Sequence, residues 1–213
     1  MTPGWPVVLS HGGVVVRPLR LRDARRWSEV RTRNRRWLQP WEGASPSAQP
    51  ATWESRHSPA VFTALLSQQR REARAGRGMA FAIEVEERLV GQVTVSGLVR
   101  GAFESATLGY WVDRDVAGRG VVPTAVALVV DHLLGPVGLH RVQVDVRPDN
   151  APSLRVVEKL GLRPEGRHER YLFIDGAWRD HLTFAVVAED VPQGLLHRYL
   201  RSREDTPPHL HQE

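Results

Sequence analysis

The stretch Asp115–Val116–Ala117–Gly118–Arg119–Gly120–Val121–Val122–Pro123 runs straight into residues 124–134 (TAVALVVDHLL), and its reading decides the fold. Before it, residues 106–112 (ATLGYWV) are a short apolar, aromatic run with strand character, and after it residues 140–146 (HRVQVDV) alternate with a strand's period of two. Strand, helix and strand in this order demand a right-handed crossover, which makes the two strands parallel neighbours in one sheet. The intervening helix, expected over residues 123–134, is apolar on nearly every side and must be buried.

Outward from this unit the signals are antiparallel. Residues 79–99 alternate through AFAIEVEERLVGQVTVSGL, with Glu86–Glu87–Arg88 as a hairpin turn. Residues 170–173 and 178–187 flank Asp175–Gly176, a strong short-range hairpin signal. Upstream, a strand over residues 14–21 (VVVRPLRL) leads to Asp23 as the N-cap of a helix. That helix would bury Ala24, Trp27, Val30, Asn34 and Leu38 and solvate Arg25, Arg26, Arg33 and Arg36. Residues 43–59 read as a loop, 61–74 as a second helix, and 153–160 as a short helix with Gly161 at its C′ position. The sum is an α+β fold with a mixed, mostly antiparallel sheet flanked by helices. Residues 1–13 are expected to be an N-terminal extension, 14–190 one domain, and 191–213 a short helix with a frayed end.

Composition bounds the function. Of 213 residues, 41% are hydrophobic and 25% charged, a globular balance, and with no cysteine there is neither a disulfide scaffold nor a thiolate nucleophile. No apolar run approaches the ~20 residues of a membrane span and no signal-peptide pattern opens the chain, so the expected place is the cytoplasm. The excess of 29 Lys+Arg over 24 Asp+Glu gives +5, which suits phosphates or RNA and equally a solvated arginine surface. Arg17, Arg20, Arg22, Arg25 and Arg26 are the arginines available to an RNA, but they straddle a strand–helix junction and no RNA-binding motif accompanies them. The nine histidines show no metal-ligand spacing, so no metal is expected.

Two segments carry chemistry. Gly118 and Gly120 let successive N–H groups turn toward one point at a helix start, where the macrodipole favours an anion. Alone, G-x-G is usually an ordinary tight loop, and here it lacks the lysine of a P-loop and the third glycine of a dinucleotide fingerprint. The second segment is Arg147–Pro148–Asp149–Asn150–Ala151–Pro152–Ser153, leading into LRVVEKLGL. Asn150 and Ser153 can offer an amide and a hydroxyl to a ligand, and both are also ordinary helix-capping types. Arg155 and Lys159, four apart, share one helix face and with Arg119 offer cations to phosphates.

Taken together, the two segments resemble motifs A and B of the GCN5-related N-acetyltransferase superfamily over about residues 14–187. The resemblance implies a splayed parallel strand pair with the acetyl-CoA thioester between the strands. It implies cofactor contacts from Tyr110, Trp111 and Val112, from Ala117, Gly118, Arg119, Gly120, Val121 and Val122, and from Asn150 and Ser153. Residues 34–42 (NRRWLQPWE) and the later Tyr171–Leu172…Gly176–x–Trp178–x–Asp180 are similar to RimJ/RimL-type enzymes, whose acceptor is the α-amino group of ribosomal and some other proteins. The chain departs from the pattern at Ala117, where Gln or Arg is usual, and at Val122, where Gly or Ala is usual. Val157 stands where many relatives have an acidic tyrosine, and Thr107 where a strand glutamate often stands. In Rim-type enzymes the position of Ser153 lies near the CoA sulfur.

A peptide α-amino group, with a pKa of about 7.7–8.0, is partly neutral at pH 7 and needs little help from a base. Glu42 is the first candidate to receive the substrate ammonium, with Glu104, His168 and Glu169 behind it; each is also read as a plain surface or strand residue. Trp37, Trp41 and Tyr171 are candidates for the acceptor groove or for packing. Acetylation of a small amine, such as an antibiotic or a polyamine, is the alternative enzyme. A non-catalytic CoA-binding or ribosome-associated module is the alternative of another class. Either a monomer or a homodimer is compatible with the sequence.

Overall fold

The computed structural model describes residues 4–49 and 51–204, and the frayed end expected beyond Glu204 lies outside the described residues. Its strands are β1 (Leu9–His11), β2 (Val14–Pro18), β3 (Met79–Val85), β4 (Arg88–Val99), β5 (Ser105–Val112), β6 (Arg141–Val146), β7 (Arg163–Ile174) and β8 (Ala177–Val187). Its helices are α1 (Ala24–Arg33), α2 (Arg35–Leu38), α3 (Trp53–Arg56), α4 (Pro59–Arg74), α5 (Val121–Leu134), α6 (Ala151–Lys159) and α7 (Leu195–Glu204). The strands form one sheet in the order β1-β2-β3-β4-β5-β6-β8-β7. The expected crossover is there: β5 and β6 are parallel and the other neighbours antiparallel. The α+β class read from the sequence therefore holds.

The parallel pairing is short. Ser105, Ala106 and Thr107 match Arg141, Val142 and Gln143, and beyond them the strands are not paired. The β6-facing backbone groups of β5 past Thr107 thus lack a strand partner, which opens the sheet at its middle.

Alternation along β5 sends Ala106, Leu108 and Val112 to one layer and Trp111 to the other. The first layer holds α5, whose Val126, Val129 and Leu133 pack with Phe81, Val93 and Val142, and α6 and α7 close it through Val157 and Leu195. The second layer holds α1 and α4, with Trp27, Phe62 and Leu66 on Ala80 and Ala82. Burial of this apolar area, at ~25 cal/mol per Å², is the main force holding both layers on the sheet.

Several local expectations change. Asp23 does not cap α1 through its side chain; it accepts the Arg20 N–H and pairs with the buried Arg17, which also bonds Glu84. Arg17 is therefore not available to an RNA. Leu9–His11 pairs with β2 across Gly12–Gly13, both at positive φ, the two-residue turn such hairpins require. The helix read through Leu38 breaks at Asn34, and α3 forms a turn inside the expected loop, capped by the Thr52 side chain. The strand β7 begins seven residues earlier than expected, because residues 163–169 are an exposed edge with polar side chains and no apolar alternation to read.

Candidate active site

A cleft of about 390 Å³ opens where the parallel strands part. One wall is the loop between β5 and α5. Gly118 and Gly120 have φ of 83° and 81°, values an L side chain resists, and a Cβ on Gly120 would lie 3.1 Å from the buried Tyr199 hydroxyl. The helix behind them begins at Val121 with no side-chain cap and no acidic residue in its first turn. Its first N–H groups are left for a ligand, with the positive end of the dipole behind them. Tyr110, Trp111, Val112, Ala117, Gly118, Gly120, Val121 and Val122 all line this cleft, as do Arg155 and Lys159 of α6. An apolar channel that ends in free N–H groups and two cations suits the pantetheine arm and phosphates of acetyl-CoA. Arg119 does not line it. Arg203 of the last helix lies 5.7 Å from the Tyr199 ring and near Gly120, behind the loop, and does not line the cleft either.

The N-terminus of α6 forms the second wall. Asn150 caps the helix, its Oδ1 accepting the Ser153 N–H at 3.2 Å, and it also lines the cleft with its amide N–H groups outside that cap. Ser153 makes no such cap with its own side chain, and its hydroxyl has no protein hydrogen bond among the described residues. The Tyr110 hydroxyl donates to the Ser153 carbonyl at 3.4 Å, tying β5 to α6, and burial pushes that phenol up, so it stays protonated. Val157, by contrast, is buried in the core, and it is Val156 that faces the cleft.

The third wall is the segment after α1. Asn34 fixes it to the end of β5, donating to Asp113 at 2.9 Å and to the Val30 carbonyl at 2.9 Å, while Arg33 pairs with Asp113. Trp37 donates to the Val112 carbonyl at 3.1 Å, and Arg147 lies 5.1 Å above Trp41 while donating to the Pro40 carbonyl at 2.8 Å. Trp37, Trp41 and Glu42 thereby reach the cleft, together with Arg31. Arg31 was read as neither core nor site, yet it is buried. It pairs with Glu42, reaches His57 Nε2 at 2.7 Å, and has its guanidinium 5.0–5.6 Å from the rings of Trp111, Trp53 and Trp27. Burial pushes the Glu42 carboxyl up, but the hydrogen bond to His57 and the charges of Arg31 and Arg56 outweigh it and hold the group below the usual carboxylate range. Glu42 is therefore an anion at neutral pH.

Besides Arg119, four proposed residues do not join this cleft. Glu104 lies at the other end of β5, roughly 15 Å along the strand from Gly109, where it bonds Arg100 and the Gly101 N–H. His168 and Glu169 are exposed on the edge strand β7, and Tyr171 stacks on His168 at 4.8 Å and meets His181 edge-on at 5.7 Å. Beside them is a carboxylate that the sequence reading passed over. Asp145 lies on β6 past the last parallel pair, accepts from Gln143 and Thr183, and has no ion-pair partner among the described residues. Its signal was the alternation of residues 141–146, which sends Val142, Val144 and Val146 inward and Gln143 and Asp145 to the other face.

Residues 14–163 match the profile of the acetyltransferase (GNAT) domain family. The [Ribosomal protein uS5]-alanine N-acetyltransferase of Escherichia coli (strain K12) is 30% identical over 190 residues, 88% of this chain and 94% of that one. The probable N-acetyltransferase YjcK of Bacillus subtilis (strain 168) is 38% identical over 108 residues, 51% of this chain and 60% of that protein's length. Among solved structures, Mycobacterium smegmatis RimJ in complex with CoA-disulfide superposes with a TM-score of 0.90 at 40% identity, covering 95% of this chain and 98% of that one.

Proposed function

Because the chain belongs to the acetyltransferase (GNAT) family, we propose that it moves the acetyl group of acetyl-CoA onto the α-amino group of a protein N-terminus, a ribosomal protein in the first instance, in the cytoplasm. One observation carries the reading: a single cleft joins a helix start without a side-chain cap, the part of β5 beyond its last pair with β6, and an ionised glutamate.

The roles follow from position. The N–H groups of residues 118–122 and the cations Arg155 and Lys159 hold the pyrophosphate end. The unpaired backbone of β5 past Thr107 holds the pantetheine and polarises the thioester carbonyl. Ser153, its hydroxyl free, faces the sulfur and supplies the proton that leaves with it. Glu42 draws in the acceptor ammonium and Trp37 and Trp41 flank it. Among the described residues, Glu42 is the one carboxylate of the cleft lining against Arg31, Arg155 and Lys159, a balance that opposes a polycationic small amine and suits a peptide carrying one ammonium.

Release of CoA thiol on adding N-terminal peptides separates an enzyme from a silent CoA-binding module. Mass spectrometry of protein N-termini from cells with and without the chain reads the acceptor. Thiol release with polyamines but not with peptides would overturn the reading.

A further inference from the structure

Glu42 is not alone at the acceptor end. Behind it His57 is 2% exposed, its ring 4.0 Å from Trp53 and 5.6 Å from Trp27. The charged groups that face this pair are Arg31 from α1 and Arg56 from α3, and β5 adds only the Trp111 ring, against the Arg31 guanidinium.

Counting protons at His57 gives an uneven result. Nδ1 lies 2.7 Å from the Trp53 carbonyl, which can only accept, so Nδ1 carries a hydrogen. Nε2 lies 2.7 Å from Arg31 Nη2, which can only donate, and 3.0 Å from Glu42 Oε1, which as a carboxylate can only accept. A bare Nε2 satisfies Arg31 and sets its lone pair against Glu42. A protonated Nε2 satisfies Glu42 and sets its N–H against that of Arg31. Each state meets one contact and opposes the other, so one frame of heavy atoms accommodates both without rearrangement. Arg31 is itself packed against three tryptophan faces, and its buried Nε–H has no acceptor among the described residues.

We propose that His57 is a proton relay behind Glu42, a positioning residue that takes the acceptor amine's proton through the Glu42 carboxylate during acetyl transfer. The inference rests on Glu42 as the receptor of the amine. The ammonium first gives up one proton to solvent; the amine lone pair then forms the N–C bond to the thioester carbonyl and the C–S pair leaves on sulfur. The proton lost by the nitrogen goes to Glu42 and from Oε1 to Nε2, while the sulfur takes a proton through Ser153, which solvent replaces. After the step Glu42 is again an anion and His57 a cation facing Arg31. That opposition returns the proton to Glu42 and solvent when the amide leaves.

The test uses the full chain labelled with 15N-histidine, the His57 ring being assigned by its loss in His57→Gln. The expected wild-type ring carries its hydrogen on Nδ1, facing the Trp53 carbonyl. In peptide acetylation, kcat of the wild type falls on the acidic side of its pH profile. His57→Gln loses that step and ~10–100-fold in kcat with acetyl-CoA affinity unchanged. Added azoles restore His57→Ala in proportion to their basicity, which mere filling of a cavity does not produce.

A ring hydrogenated on Nε2 rather than Nδ1 overturns the relay. So does an acidic step that persists in His57→Gln and vanishes only in Asp145→Asn. Should His57→Gln fail to fold, the ring is assigned instead by through-bond correlations in the wild-type chain, and its tautomer decides. A wild-type chain that binds acetyl-CoA and acetylates no peptide sinks the functional reading instead, and leaves the ring measurement standing.

Discussion

The cofactor side of the cleft rests on backbone and on residues close in sequence: Gly118 and Gly120 shape the loop, Val121 starts the helix, and Asn150 caps the next one. The acceptor side rests on side chains from far apart, with Arg31, Glu42, His57 and Trp111 meeting through hydrogen bonds and ring contacts. A backbone cradle depends on φ values and free N–H groups, so it binds the constant part of a substrate. A side-chain cluster is set by partners on separate elements, each of which can change without disturbing the sheet, so it is where an acceptor is chosen.

If that division is right, the largest effect comes from the smallest backbone change. Gly120→Asp places a side chain at φ 81° and 3.1 Å from the Tyr199 hydroxyl, and sets an anion where phosphates bind. Acetyl-CoA affinity should fall by ~100-fold or more, about 3 kcal/mol, with the far-UV spectrum of the fold kept. Calorimetric titration checks it, and an unchanged Kd in a folded protein would remove the cradle from the loop.

Next in size is Ser153, which separates chemistry from capping. Since Asn150 is the cap and the Ser153 hydroxyl is unbonded, Ser153→Ala should cost at least tenfold in kcat and kcat/KM together with little change in Tm, toward the lower end of the 10²–10⁴ of a general acid because water can stand in. Asn150→Ala should do the reverse, losing ~1 kcal/mol of stability with turnover largely kept. Measured on the same preparations, a Ser153→Ala enzyme with wild-type kcat would return that residue to the structural reading.

The same division explains what the sequence disclosed. The crossover from β5 to β6 follows from the apolar residues 123–134 between two strand patterns, and the glycines of the loop announce their own conformation. The third wall was half visible: residues 34–42 were singled out, but Arg31 looked like one more cation of an arginine-rich helix. Its burial depends on Trp53 and His57, which stand beyond a loop of Ser, Pro and Ala. Glu104 failed as a candidate for a related reason, because a carboxylate near a strand says nothing about which end of the strand holds the cleft. Tyr171, His168 and Glu169 lie on an edge strand whose register shifts between His168 and Leu172, and no local pattern carries that shift.

On the acceptor side, pH offers a further separation. The Glu42 carboxyl is held below its ordinary value of about 4.3, so its pairing contributes stability that is complete above that value and lost as pH falls through the lower folded one. The acid limb of a Tm-against-pH curve should therefore be shallower in Glu42→Gln than in the wild type. Identical limbs would mean that Arg31 and His57 do not favour the ionised form.

The smallest effects return to the cofactor side and test whether its cations matter at all. Arg155 and Lys159 line the cleft from an exposed helix face, where solvent and salt weaken any charge contact. Each is expected to contribute about 1 kcal/mol or less to acetyl-CoA binding, so a single alanine should weaken it by no more than ~5-fold. Arg119, which does not line the cleft, should contribute less than either, and that ordering is specific to this geometry. The double variant Arg155→Ala with Lys159→Ala should weaken binding at low salt and flatten its dependence on ionic strength, while Arg119→Ala leaves that dependence nearly as steep as in the wild type. If the double variant keeps the wild-type salt dependence, the phosphates are held by the backbone and the helix start alone, and the division between a backbone-built and a side-chain-built half becomes sharper.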